Sequence, residues 1–321
     1  MLSLYIGITI IGLLFGSFAT VLVTRWHTHE EGILFGRSKC PKCHHTLSWF
    51  ELLPLISYIF LLGKCRKCST KIPLFYPLAE IIMASIFLIL TISYIRIEGY
   101  FVGTQYALLL MLGFITGVYV LSDIRYMEIP DEILVPGIYG YLLLLGIGYY
   151  NDSLGGIFFD VSSYIGGYKE FIFDHLFGAF VLYTFLFLQI IIPATIQYAK
   201  KKKWSDVGGV FLSYFTFPIL LLFPQKESTK NDDETSIETW VGGGDLRVAL
   251  FIGITLGLVH GIFSFFVAYI LGSFIGIIII LFTGKVKSQI PFGPFLAFGW
   301  LMAIYFHSDI LSLLEAYKTL L

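Results

Sequence analysis

"LRVALFIGITLGLVHGIFSFFVAYILGSFIGIIIILFT", residues 246–283, carries one charged side chain, Arg247, in a run long enough to cross a bilayer twice. A crossing takes about 17–25 apolar residues when the chain is helical. Lipid offers no partner to a backbone N–H or C=O, so only helices and closed barrels span it. Barrel strands are short and alternate apolar with polar residues, and this run does neither. Outward from it, further apolar runs occupy 2–24, 77–95, 102–121, 133–150, 175–198 and 294–306. Composition agrees, with 57% hydrophobic residues, 13% charged and a mean hydropathy of +0.82. A soluble domain usually carries about 25% charged residues. The pattern predicts an all-α polytopic membrane protein of about eight transmembrane helices. The run at 246–283 counts as a hairpin bending near His260 and Gly261.

Charge sets the expected orientation. The first run is preceded by no Lys or Arg and followed by Arg25 rather than by a small-residue cleavage site, so it reads as a retained span. Residues 25–73 hold eight Lys and Arg, Lys200 to Lys203 follow the run at 175–198, and Lys285 and Lys287 follow 246–283. Loops rich in Lys and Arg stay in the cytoplasm, which puts these three segments inside and both termini outside. One apolar piece, "VGGVFLSYFTFPILLLFP" (207–224), would invert everything after it if it crossed. Its Pro218 and glycine pair point to a re-entrant or interfacial segment. The polar, acidic stretch 225–238 after it has the composition of a mobile loop. No internal repeat stands out.

The four cysteines fall in one loop, as "CPKC" at 40–43 and "CRKC" at 65–68, separated by 21 residues. Two such pairs approximate a Cys₄ zinc spacing, each turning two thiolates towards one ion. Cys40, Cys43, Cys65 and Cys68 are the expected ligands. Disulfides are disfavoured in a reducing cytoplasm, and four cysteines suffice without His44 or His45. A closed four-thiolate site has no open position, so the zinc would be structural.

The remaining chemistry is carboxylate chemistry. "VLSDIRYMEIPDEIL" holds Asp123, Glu128, Asp131 and Glu132 between two spans. Asp131, after Pro130, reads as a helix N-cap, and Glu128 and Glu132 as solvated. Asp123 sits at the last turn of a span, where a negative charge opposes the helix dipole, and calls for a function. Asp245 could be only a cap. Yet Gly242, Gly243 and Gly244 before it leave a backbone bare of side chains, as suits a close approach by a substrate backbone. Topology puts Asp123 and Asp245 on one membrane face. Two carboxylates that meet share a proton, so that one activates water and the other polarises a carbonyl.

At these residues the chain resembles the bacterial type IV prepilin peptidases, leader peptidase/N-methyltransferases of the GxGD aspartic protease type. The likeness is carried by "GLLFGSFATVLVTR" (12–25), "RSKCPKCHHTLSWFELLPLISYIFLLGKCRKCSTKIPLFYPLAE" (37–80), "SDIRYMEIPDEI" (122–133), "GGGDLRVALFIG" (242–253) and "IPFGPFLAFG" (290–299). It implies that Asp123 and Asp245 are the catalytic pair and that the four cysteines bind zinc. It implies further that the substrates are prepilins or pseudopilins, cut after a glycine on the cytoplasmic side of the inner membrane. The new N-terminus would then be methylated from S-adenosylmethionine, an expectation that rests on the resemblance alone. Arg247 stands where the family usually has Lys, and His44 and Ser69 stand where glycine commonly follows the knuckles.

The expected organisation is a first span (1–24), a cytoplasmic Cys₄ domain (25–76), spans two to five with the first catalytic Asp (77–203), the interfacial segment and acidic loop (204–240), and the glycine motif with spans six to eight (241–321). Prepilins and the lipid bilayer are the expected partners, and nucleic acid is not among them. Two other readings compete. A proton- or cation-coupled transporter would place its acids near mid-membrane on repeated, broken helices, whereas these lie at the cytoplasmic edge. A non-enzymatic pilus-assembly scaffold would leave both aspartates without a role.

Overall fold

The computed structural model describes residues 1–28, 36–98, 103–151, 168–201, 243–284 and 290–320. The segment 204–240, Gly242, Lys285 and Lys287 lie outside the described residues. The described residues contain α1 (Leu2–Thr28), a 3₁₀ turn (Trp49–Leu52), α2 (Ile56–Phe60), α3 (Phe75–Glu98), α4 (Gly103–Tyr126), α5 (Asp131–Asn151), α6 (Tyr168–Lys201), α7 (Gly243–Thr283), α8 (Gly293–Tyr305) and α9 (His307–Leu320). There is no strand among them, only two isolated antiparallel bridges, Lys39 with Thr46 and Lys64 with Lys71. Five helices, α1, α3, α4, α6 and α7, are long and apolar enough to cross a membrane. A sixth crossing is available if α8 and α9, bent by 69° at their junction, act together. The all-α polytopic class stands. The count of about eight also includes 133–150, now within the 21-residue α5, and takes 246–283 twice. At 41 residues, with a break in helical geometry at Gly257, α7 has about twice the residues that one crossing needs.

The described chain divides into two compact units. The first contains Met1–Pro130 and Phe266–Leu321, and the second falls between Asp131 and Phe265. In the first unit α1 lies along α3 so closely that side chains between them have no room. A Cβ added at Gly12 would stand 2.6 Å from Ala84 Cα, and one at Gly16 would stand 2.6 Å from Glu80 Cα. Small residues four apart let two membrane helices meet backbone to backbone, which is the source of their attraction where water supplies no driving force. Gly16→Val is therefore expected to destabilise the first unit by about 1–3 kcal/mol, the cost of overpacking. Unfolding titrations in mild detergent would measure it, and an unchanged midpoint would contradict the close contact.

The ends of three helices meet on one side of this unit. The Arg125 guanidinium, at the end of α4, lies 4.5 Å from the Phe75 ring centroid at the start of α3. His27, at the end of α1, stacks on Tyr126 with centroids 3.8 Å apart and reaches Glu128 at 3.2 Å. Glu128 is thus exposed, as expected, but paired. Because the Cys₄ loop joins α1 to α3, it emerges on the same side as the end of α4.

In the second unit the bend expected near His260 and Gly261 does not fall on those residues, since both are helical. The helical geometry breaks instead at Gly257, with φ 73° and ψ −172°. The break has a partner that the local pattern did not reveal. Leu258 N–H, freed from its helical acceptor, donates to the Asp174 carboxylate of α6 at 3.2 Å. His175 Nδ1 hydrogen-bonds Ile254 O at 2.6 Å just before the break. Glycine tolerates this left-handed φ without a Cβ penalty, and the side chains of α6 satisfy the interrupted ladder.

Candidate active site and metal centre

The cysteine loop forms two knuckles that repeat one another. In the first, Cys40 N–H donates to His45 O at 2.9 Å and His44 N–H to Cys40 O at 2.9 Å. In the second, Cys65 N–H donates to Thr70 O at 2.8 Å and Ser69 N–H to Cys65 O at 2.9 Å. The bridges Lys39–Thr46 and Lys64–Lys71 close them at equivalent positions. "KCPKCHHT" and "KCRKCSTK" are therefore an internal repeat of structure that the sequence reading passed over. Its signal was the shared K-C-x-K-C register rather than a long periodicity.

The knuckles bring four sulfurs together. Cys40 Sγ lies 3.8 Å from Cys68 Sγ and Cys43 Sγ lies 4.0 Å from Cys65 Sγ, and all four fall within 4.8 Å of one another. A tetrahedron of thiolates about 2.3 Å from a zinc ion has edges of about 3.8 Å, so the cluster has the size a metal requires. Hydrogen bonding at the Thr70 side chain and backbone brings the Cys68 thiol down to about 6, while burial and the other sulfurs hold Cys43 up at about 11. The sulfurs thus divide their protons unevenly, and a bound metal would need all four as thiolates. His45 is occupied elsewhere, with Nε2 3.6 Å from Glu51 Oε2. Glu51 in turn accepts the Ser48 N–H at 2.8 Å.

His44 and Ser69 occupy matching positions with φ of 53° and 55°. A side chain in this left-handed region costs about 1–2 kcal/mol that glycine avoids. Ser69→Gly is accordingly expected to stabilise the module by about 1 kcal/mol. Metal-retention midpoints against a competing chelator would read the gain, and a loss of metal affinity would contradict it.

Asp123 belongs to the first unit and lies in the last turn of α4, 6% exposed. The helix ends there, with Met127 N–H donating to Asp123 O at 2.9 Å and Met127 at φ 56°. The side chain turns away from the carbonyls of its own helix. Its Oδ2 accepts the backbone N–H of Gly293, the first residue of α8, at 2.8 Å. A helix N-terminus favours a carboxylate, so α8 relieves the unfavourable setting that the sequence implied. A Cβ on Gly293 would stand 2.7 Å from Asp123 Oδ2, which explains glycine at that position. Gly293 is the participant that sequence reading missed, although "IPFGPF" (290–295) marked the segment.

Asp245 belongs to the second unit. It is the third residue of α7 and 7% exposed. The position before Gly244 is open, because a Cβ built on Gly243 would meet nothing within 4 Å. Two residues on, the Arg247 guanidinium donates to the Asp131 carboxylate at the start of α5. The N-cap reading of Asp131 is thereby corrected. It is the first residue of α5 rather than the residue before it, and its carboxylate is spent on an ion pair that ties α5 to the first turn of α7. Glu132 is exposed, as expected.

Comparison with known proteins gives one consistent answer. Residues 10–94 match the bacterial peptidase A24 N-terminal domain. Curated proteins named prepilin leader peptidase/N-methyltransferase align along most of the chain. The one from Bacillus subtilis (strain 168) is 28% identical over 306 residues, covering 94% of each chain. That of Aeromonas salmonicida (strain A449) is 26% identical over 85% of this chain and 72% of its own. That of Pseudomonas putida is 24% identical over 92% and 89%. No solved structure matches.

Proposed function

We propose that this chain, related to bacterial prepilin leader peptidase/N-methyltransferases over 94% of its length, is a membrane aspartic endopeptidase acting on prepilins or pseudopilins. It removes their leader after a glycine at the cytoplasmic face of the inner membrane, and methylates the new N-terminus. The observation that carries the reading is the pair of buried aspartates, Asp123 and Asp245, at the ends of apolar helices in a chain so related. Buried carboxylates are costly unless partnered, and a passive scaffold gives them no role.

In this reading the two carboxylates share one proton, because like charges at short range cannot both ionise. The ionised member takes a proton from water as it attacks the scissile carbonyl, and the protonated member hydrogen-bonds the carbonyl oxygen as charge develops there; the C–N bond then breaks as the proton taken from water passes to the leaving amine. Gly293 N–H fixes the rotamer of Asp123, and the bare glycines before Asp245 admit the substrate backbone. Cys40, Cys43, Cys65 and Cys68 would hold a structural zinc ion. Methylation would draw its methyl group from S-adenosylmethionine, and no residue of this chain is assigned to that donor.

The direct test is incubation of detergent-purified protein with a prepilin. Loss of the leader is expected, and an intact prepilin would exclude the peptidase. Gly293→Ala is expected to lower kcat on the order of tenfold with little change in KM, since sub-ångström displacement of a reacting group is costly. Orientation has its own test, a cysteine placed at Ser228 in a chain whose native cysteines are replaced. No reaction with an impermeant thiol reagent is expected before lysis of intact cells. Reaction would put that loop outside and separate the aspartates by about 30 Å of hydrocarbon.

A further inference from the structure

The Cys₄ module leaves its largest apolar side chains uncovered. Trp49 is 76% exposed, Ile59 67%, Phe60 83% and Leu62 83%, and no residue of α2 is buried. Side chains of this kind are ordinarily interior, and a contiguous group of them outside marks a contact surface. The fold ties them to a particular level of α3. Leu55 N–H, directly before α2, donates to Glu80 Oε2 at 2.8 Å, and Glu80 lies in α3 against Gly16 of α1. The apolar crossing of α3, Phe75–Ile97, has 23 residues, about 34 Å against a core of about 30 Å. Glu80 is five residues in from Phe75, about 7.5 Å along the helix, which is about 5 Å inside the edge of a hydrocarbon core centred on this crossing. The start of α2 is held at that depth.

Charge points the same way. Lys64, Arg66, Lys67 and Lys71 are all exposed. Lys64 and Lys71 pair across a bridge immediately after Leu62 and Gly63, and Arg66 lies 5.2 Å from the Phe50 ring centroid. Apolar side chains reaching about 5–10 Å below the headgroups, with Lys and Arg beside them, are the arrangement of an interfacial membrane segment.

We propose that the Trp49–Leu62 face of the metal module is seated in the bilayer interface, with Phe60 and Leu62 among the acyl chains and the neighbouring basic residues among anionic headgroups. The module is then a membrane-bound floor beside the end of α4 rather than a free cytoplasmic domain, whichever reaction the chain performs. The lipid leaflet is the occupant, and the apolar segment of a substrate or the chain's own residues 207–224 are the rivals.

The test uses the full chain in nanodiscs of phosphatidylethanolamine and phosphatidylglycerol. A fluorescent unnatural residue replaces Phe60, Leu62 or, as a control in the first knuckle, Lys42, leaving every cysteine intact. Quenching by lipids spin-labelled near the headgroup is expected to be at least about fivefold stronger at 60 and 62 than at 42, with iodide in the buffer showing the reverse order. Iodide quenching at 60 and 62 equal to that at 42 would overturn the proposal, because the face would then be in water. Protection from both quenchers would overturn it equally, because protein would cover the face.

Discussion

Prepilin cleavage is expected to fall by at least about 10³-fold when either Asp123 or Asp245 is changed to Ala or Asn, within the range that general acid–base catalysis supplies. Both single variants should lose nearly everything, because one carboxylate cannot be base and acid at once when no proton is shared. Asn is the cleaner substitution. At Asp123 its amide oxygen can still accept the Gly293 N–H, now made at 2.8 Å, so the start of α8 keeps its partner while the titrating proton is gone. The double variant should be no worse than either single one, since residues acting as a unit are non-additive. Expression and detergent-unfolding midpoints near those of the parent protein would separate lost chemistry from lost folding. Substantial cleavage by Asp245→Asn would remove that residue from the mechanism. Asp131→Ala breaks only the ion pair with Arg247 and should be far milder.

Zinc content is expected to drop from about one ion per chain to near zero in the Cys40→Ser/Cys65→Ser double variant, because two of four thiolates cannot complete the tetrahedron. Structural zinc contributes about 10–16 kcal/mol of apparent binding free energy at neutral pH in small modules. Few apolar side chains of this loop are available as a substitute core, with Trp49, Ile59, Phe60 and Leu62 all exposed. Residues 37–73 should therefore become sensitive to protease while the membrane helices stay intact. Acid should act in the same direction, as protons compete with metal for thiolates. Metal analysis of the purified variant decides the matter, and an undiminished zinc content would exclude the four-cysteine site.

Much of this architecture was legible in the chain. Uninterrupted apolar length gave the helical membrane class, because transfer into lipid and the need to satisfy backbone groups are properties of each segment by itself. The cysteine spacing was equally local, for a C-x₂-C knuckle closes its own hydrogen bonds within a few residues of each sulfur. The two aspartates were visible because carboxylates are rare in such surroundings, and Asp123 because it opposed the dipole of its own helix.

What the chain did not reveal depends on partners distant in sequence. Asp123 is held by a backbone N–H 170 residues away. The break in α7 sits at Gly257 rather than His260 because Asp174, 84 residues earlier, accepts the freed Leu258 N–H. Asp131 is an ion-pair partner rather than a cap because Arg247, 116 residues on, reaches it. Gly16 is small because Glu80 Cα would lie 2.6 Å from any Cβ there, and the same Glu80 ties the cysteine loop to α3 through Leu55. Hydrophobic length and turn chemistry are sums over neighbours along the chain, so sequence alone determined the helical class and the cysteine cluster. Which donor meets which acceptor between elements is fixed only when the helices pack, and tertiary structure alone decided those pairings.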